Sequence, residues 1–120
     1  MWARRERARM TLALGGSCAA CSNPENLTFD CISPRGDSHH RKDSAARVSF
    51  YRREMRAGNL QILCEDCNSM KGNMHPDQWL HVMKTAAARL HNERLSCSLG
   101  KRTALTPDFI RMVIREVLTT

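Results

Sequence analysis

Asn59-Leu60-Gln61-Ile62-Leu63-Cys64-Glu65-Asp66-Cys67-Asn68-Ser69-Met70-Lys71-Gly72 is the stretch on which the fold turns. Asn59 to Leu63 reads as a short strand or extended segment. Cys64-x-x-Cys67 then opens a helix that ends near Gly72. A Cys-x-x-Cys turn brings two sulfurs to one side of a tight knuckle. A second knuckle, Cys18-x-x-Cys21, lies upstream, and two knuckles complete a tetrahedral thiolate shell for Zn2+. Four thiolates leave no open coordination position, so this zinc is expected to be structural. Cys31 and Cys97 have no partner at ligand spacing and read as small buried hydrophobes.

Working outward from the second knuckle, the span back to the first is long enough to hold a whole substructure. Leu27-Thr28-Phe29-Asp30-Cys31-Ile32 alternates and carries β-formers, so it reads as a strand, broken by Pro34-Arg35-Gly36-Asp37. Asp43 to Ala57 reads as a helix, with Val48, Tyr51 and Met55 at helical spacing and Gly58 closing it. Before the first knuckle, residues 2–14 form a basic helix stopped by Gly15-Gly16. After the second, Pro76-Asp77 begins a longer helix with an apolar stripe of Trp79, Leu80, Met83, Ala86, Ala87 and Leu90. Thr106-Pro107-Asp108 starts the last helix, whose inner face is expected at Phe109, Met112, Val113, Val117 and Leu118. The class is α+β in one domain, residues 1–120. Its core spans 12–75, with a basic helical insert at 41–58 and C-terminal helices at 76–95 and 106–119.

A 120-residue chain with 5% aromatic residues buries a modest core, which fits the need for a metal staple. Its net charge of +7, from 19 Lys+Arg against 12 Asp+Glu, favours a polyanionic partner, nucleic acid first. No apolar run approaches the ~20 residues that span a bilayer, so no membrane role is expected. Met1-Trp2-Ala3-Arg4-Arg5 is followed by no apolar signal region, and a cytoplasmic location is expected. That compartment also disfavours reading the six cysteines as disulfides.

The run Leu27 to Ile32, followed by Asn59 to Gly72, resembles the HNH endonuclease family with its ββα-metal core. Leu14-Gly15-Gly16-Ser17-Cys18-Ala19-Ala20-Cys21 is similar to the segment leading into the first knuckle in that family. The resemblance covers roughly residues 12–73 and leaves both flanks uncovered. It implies that Asp30 is a ligand of a catalytic divalent metal and that Asn59 holds the hairpin loop by side-chain hydrogen bonds. It further implies that Asn68 completes the metal site. A carboxylate and an amide oxygen are hard ligands, suited to Mg2+ or Mn2+. Where the family has the histidine that serves as general base, this chain has Cys31, a poor base at neutral pH with an ordinary thiol pKa of ~8.5. His39 or His40, on the loop leaving the strand, is expected to take that role, with His40 the first choice. His75, His81 and His91 read as structural or surface residues.

Arginines crowd two segments: Arg4, Arg5, Arg7 and Arg9 in the first helix, and Arg41, Arg47, Arg52, Arg53 and Arg56, with Lys42, in the insert. The insert, through Arg52, Arg53 and Arg56, is the first expectation for the grip on DNA phosphates, with Lys71 as a further phosphate contact or a solvated helix-end lysine. With one tyrosine and two tryptophans in the chain, base-specific reading is not expected. Together these readings give an HNH-type endonuclease that nicks or cleaves DNA, as monomer or homodimer. The rival is an HNH-like zinc module that has lost catalysis and binds DNA or a protein.

Overall fold

The computed structural model describes residues 2–35, 42–72, 74–96 and 105–118. Two five-residue strands, β1 (Leu27–Cys31) and β2 (Leu60–Cys64), pair antiparallel from Leu27↔Cys64 to Cys31↔Leu60. Such a ribbon is marginal in water by itself and must have its faces covered. Side chains alternate along a strand, so Phe29 and Cys31, with their partners Ile62 and Leu60, look to one face. Thr28 and Asp30, with Leu63 and Gln61, look to the other.

The first face is covered by α1 (Trp2–Ala13) and α2 (Ser44–Arg56). Met10, Val48, Tyr51 and Leu60 form the buried core there, with Phe29, Phe50 and Met55 packed against it. The guanidinium of Arg7 stands over the rings of both Phe29 and Tyr51, 5.7 and 5.8 Å from their centroids, in cation–π contact. Asp43 caps α2, its carboxylate accepting from Ala46 N at 2.8 Å. The chain leaves α2 through Gly58 at φ +73°, a left-handed turn that glycine adopts without strain.

The second face is covered by α3 (Glu65–Lys71), which follows β2 directly, and by α4 (Pro76–Ser96) and α5 (Pro107–Leu118). Leu63 joins a buried core with Trp79, Val82, Ala86, Ile110 and Val113, and Cys18, Cys64 and Cys67 belong to the same core. His75 starts α4: its Nδ1 accepts from Asp77 N at 3.1 Å, and Gln78 Oε1 accepts from His75 N at 3.2 Å. This is the reciprocal geometry of a capping box. Thr106 caps α5, its hydroxyl accepting from Phe109 N at 3.2 Å.

The α+β class and the order of elements agree with the sequence reading. The inner faces of the last two helices do not fully agree. Val82 is fully buried whereas Leu80 is 52% exposed, and Ile110 is fully buried whereas Met112 and Leu118 lie outside. The α4–α5 contact rotates each stripe by about one residue, because a helix presents to its neighbour the ridge that interlocks, and hydrophobicity alone does not fix that ridge. Among the described residues, no helix is long and apolar enough to cross a membrane.

Candidate functional site

The four cysteines of the two knuckles converge. The sulfurs of Cys18, Cys21, Cys64 and Cys67 all lie within 4.8 Å of one another, and those of Cys21 and Cys64 are 3.6 Å apart. Around a tetrahedral zinc with bonds of ~2.3 Å, sulfurs sit ~3.8 Å apart, so this cluster could hold a metal ion such as zinc. Local backbone builds each half. Ala20 N and Cys21 N point at Cys18 Sγ at 3.4 and 3.5 Å, and Ala19 N donates to Ile62 O at 2.8 Å, lashing the first knuckle to β2. Cys64 ends β2 and also caps α3, its sulfur accepting from Cys67 N at 3.5 Å.

The electrostatics of the cluster point the same way. Burial opposes ionisation of Cys18, but the N–H groups aimed at its sulfur outweigh it and bring the thiol down to about 7. Burial, reinforced by the neighbouring Cys64 and Cys18, pushes Cys21 up to about 11, and burial drives Cys67 further still. Four sulfurs this close cannot all be thiolates without a cation between them. A dication resolves that conflict, since metal binding displaces the thiol protons.

Beside the cluster, α3 lies against the Thr28–Asp30 edge of β1 to form a seam. Asn68 and Lys71, three residues apart and so on one side of the helix, each reach one of those strand residues. Asn68 Nδ2 donates to Thr28 Oγ1 at 2.7 Å, and Thr28 Oγ1 donates to Leu63 O at 2.7 Å. Lys71 Nζ lies 3.0 Å from Asp30 Oδ2 and donates to Cys31 O at 3.3 Å, while Gln61 Nε2 donates to the same Asp30 oxygen at 2.9 Å. Among the described residues Asp30 Oδ1 and Asn68 Oδ1 receive no hydrogen bond, and both residues are partly exposed.

Lys71 departs from its expected place at a solvated helix end. Its side chain is 1% exposed, and its ammonium is spent on Asp30 rather than free for a phosphate. A signal for this was present. Lys71 follows Cys67 by four residues, which puts it on the same inward face of α3 as that buried thiol.

Asn59 ties three segments together. Its Oδ1 accepts from Ser33 N at 2.7 Å, and its Nδ2 donates to Ser33 O at 3.1 Å and to Glu54 Oε2 at 2.8 Å. Glu54 also lies 3.4 Å from Arg35 Nε. The Asn59 amide, helped by Arg35, holds the Glu54 carboxyl below its usual range. The end of α2, the start of β2 and the chain leaving β1 are thereby fixed as one corner. Asn59→Ala is expected to lower stability by about 2 kcal/mol, since three hydrogen bonds go and the Ser33 backbone groups lose their partners. Thermal melting should fall by about 5–10 °C, and a shift under about 2 °C would show the corner to be held by other contacts.

The remaining candidates are dispersed. Cys31 is 7% exposed and, by alternation, faces away from Asp30; burial first, then the charges of Glu54 and Asp30, push its thiol up. Arg52, half-buried, stacks over the Trp2 ring at 5.8 Å, while Arg53 and Arg56 are exposed on the last turn of α2. All three sit on the helix layer across the hairpin from the Asp30 seam. His39, His40, Arg41 and Cys97 lie outside the described residues. Compared with protein-family models, with curated proteins and with solved structures, the chain matches none.

Proposed function

We propose that this chain is a divalent-metal-dependent nuclease of the HNH type that hydrolyses DNA phosphodiester bonds, with structural zinc at its four cysteines. One observation carries the reading. A strand–strand–helix unit, anchored at the cysteine cluster, has the carboxylate Asp30 near the end of β1 and the amide Asn68 on α3 along a single seam. The Oδ1 atoms of Asp30 and Asn68 are hard donors that fit Mg2+ or Mn2+. When bound, such an ion supplies Lewis-acid stabilisation of charge on the scissile phosphate.

The chain's own residues have separable tasks in this reading. Lys71 and Gln61 fix the Asp30 carboxylate by both binding Oδ2, and Oδ1 is the oxygen left for the metal. Asn59 fixes Ser33, and with it the start of the segment that carries His39 and His40. One of these histidines, His40 first, accepts the proton of the attacking water as its oxygen bonds to phosphorus and the P–O3′ bond breaks. Cys31 takes no part, because it is buried on the far face of the strand.

The test is nicking of supercoiled plasmid by the zinc-loaded chain with Mg2+ or Mn2+, against the same reaction without added divalent ion. Asp30→Asn should abolish nicking and His40→Ala should slow it by ~10²–10⁴. A second reading has its own observation: Asp30 already has a cation partner in Lys71, and Cys31 stands where a base is expected. It makes the chain a zinc-held module that binds DNA or a protein without cutting. A wild-type chain that binds DNA and nicks none with Mg2+, Mn2+, Ni2+ or Co2+ would establish this second reading over the first.

A further inference from the structure

Positive charge on α1 and α2 is gathered as well as abundant. Arg9 of α1 and Arg52 and Arg56 of α2, with Met55, line one cleft of about 340 Å3 between the two helices. Arg9 and Arg52 are brought together from opposite sides of β1 in the chain. Bringing like charges together opposes folding, so local helix energetics are the first explanation to weigh. Arg53 and Arg56 do complement the C-terminal end of the α2 dipole. Arg9 lies before the last turn of α1 and Arg52 before that of α2, so the dipole accounts for neither. Among the described residues the carboxylate paired with them is Glu6, which pairs with Arg9 and lies 3.9 Å from Arg52. The Arg9 hydrogen bond holds the Glu6 carboxyl below its usual range, and the ionised carboxylate lies between the Arg9 and Arg52 guanidinium groups. Arg56 forms no ion pair among the described residues and is exposed.

A groove lined by three arginines, two of which share the Glu6 carboxylate, keeps a net positive charge. Guanidinium forks match phosphate oxygens in pairs. Among the described residues the apolar lining is Met55, whereas a helix that enters a membrane surface presents a continuous apolar ridge. The groove therefore fits a linear polyanion rather than a bilayer.

We propose that the Arg9–Arg52–Arg56 cleft is a nucleic-acid anchor that holds phosphodiester backbone without reading sequence, separate from the Asp30 seam. α1 and α2 cover the Phe29 face of the hairpin, and the seam lies on the Asp30 face. A phosphate held in the cleft is thus not the phosphate at the seam. Affinity and cutting are carried by different surfaces, and the anchor requires no catalysis at Asp30.

The experiment is equilibrium binding of the zinc-loaded full chain, with no added divalent ion, to a fluorescent duplex of about 20 base pairs and to a single strand of equal length, over a salt series. Arg9→Gln/Arg56→Gln should weaken binding about tenfold or more near 0.1 M salt and flatten the log–log salt slope by about 2. Arg56→Gln alone, which breaks no ion pair, should give about half that slope change. Lys84→Gln/Arg111→Gln removes equal charge from α4 and α5 and should leave the slope unchanged. Equal losses from the cleft and control pairs, or an unaltered slope in the cleft pair, would overturn the anchor. So would loss of binding to phosphatidylserine vesicles with duplex and single-strand binding intact, which would assign the cleft to a membrane. Nicking by Asp30→Asn bears on the nuclease reading alone, so the two proposals fail separately.

Discussion

Cys64→Ser is expected to leave the chain without a cooperative fold. This one residue ends β2, caps α3, is 1% exposed, and places its sulfur 3.6 Å from that of Cys21. Structural zinc binds with ~10–16 kcal/mol in small domains, because the site exists only in the folded chain. A whole domain of ordinary size is stable by ~5–15 kcal/mol, so losing the metal consumes most or all of that margin. The two cores on either side of a ten-residue ribbon are too small to make up the difference. Elemental analysis of the purified wild-type chain should find one zinc ion per molecule. The Cys64→Ser chain should carry none and show no thermal transition by circular dichroism. A wild-type chain that melts cooperatively without any metal would contradict the role assigned to the cluster.

The second large effect lies in the seam. Asp30→Ala would strand the ammonium of Lys71 at 1% exposure with only a carbonyl for company. Removing one partner of a buried pair costs about 3–5 kcal/mol, most of it the penalty of the charge left behind. Lys71→Met should cost less, since Asp30, with its side chain 11% exposed, keeps Gln61 and reaches water. The double change Asp30→Ala/Lys71→Met should recover much of the loss, since neither charge then remains. Urea unfolding of the two single variants and the double variant gives the coupling directly. A cost below about 1 kcal/mol for Asp30→Ala would mean that the pair is solvated in solution. The sequence alone makes Asp30→Ala look like a clean probe of catalysis. The structure makes it a stability variant as well, so the test of cutting by Asp30→Asn is to be read beside Asp30→Asn/Lys71→Met, which leaves no buried charge behind.

That difference illustrates what could be read from the residues and what could not. The knuckles were legible because ligand spacing is a local property: two residues between cysteines fix a turn whatever surrounds it. Caps were legible for the same reason, as at Asp43 and Thr106. The fate of Lys71 depends on a carboxylate 41 positions earlier, and the 3.0 Å contact exists only once the hairpin has formed. Val82 and Ile110 were missed as core residues because their helices settle against each other, and the winning ridge is a property of the pair. Arg7 looked like one more surface charge in a basic helix. Its place over Phe29 and Tyr51 needs two aromatic residues from different elements. In the candidate site, the single-residue expectations at Asp30, Asn59 and Asn68 found residues that do sit at the hairpin and its helix. Gln61, Thr28 and Glu54, which hold those three, carry no local mark.

The dual position of Cys64, paired with Leu27 at one end of the ribbon, also gives the fold a means of proofreading. A short ribbon can misalign, and a slip of one residue turns every side chain to the wrong face, carrying Asp30 away from Lys71. A slip of two keeps the faces but displaces β2 along β1 by ~7 Å. The first knuckle is lashed to Ile62 and the second begins at Cys64, whereas α3 is held to β1 through Thr28 and Asp30. Misaligned chains would therefore have to give up either the α3 contacts or the gathering of four sulfurs within 4.8 Å. Only the correct alignment satisfies both, so a captured metal ion would retain correctly assembled molecules and leave the others free to open and try again.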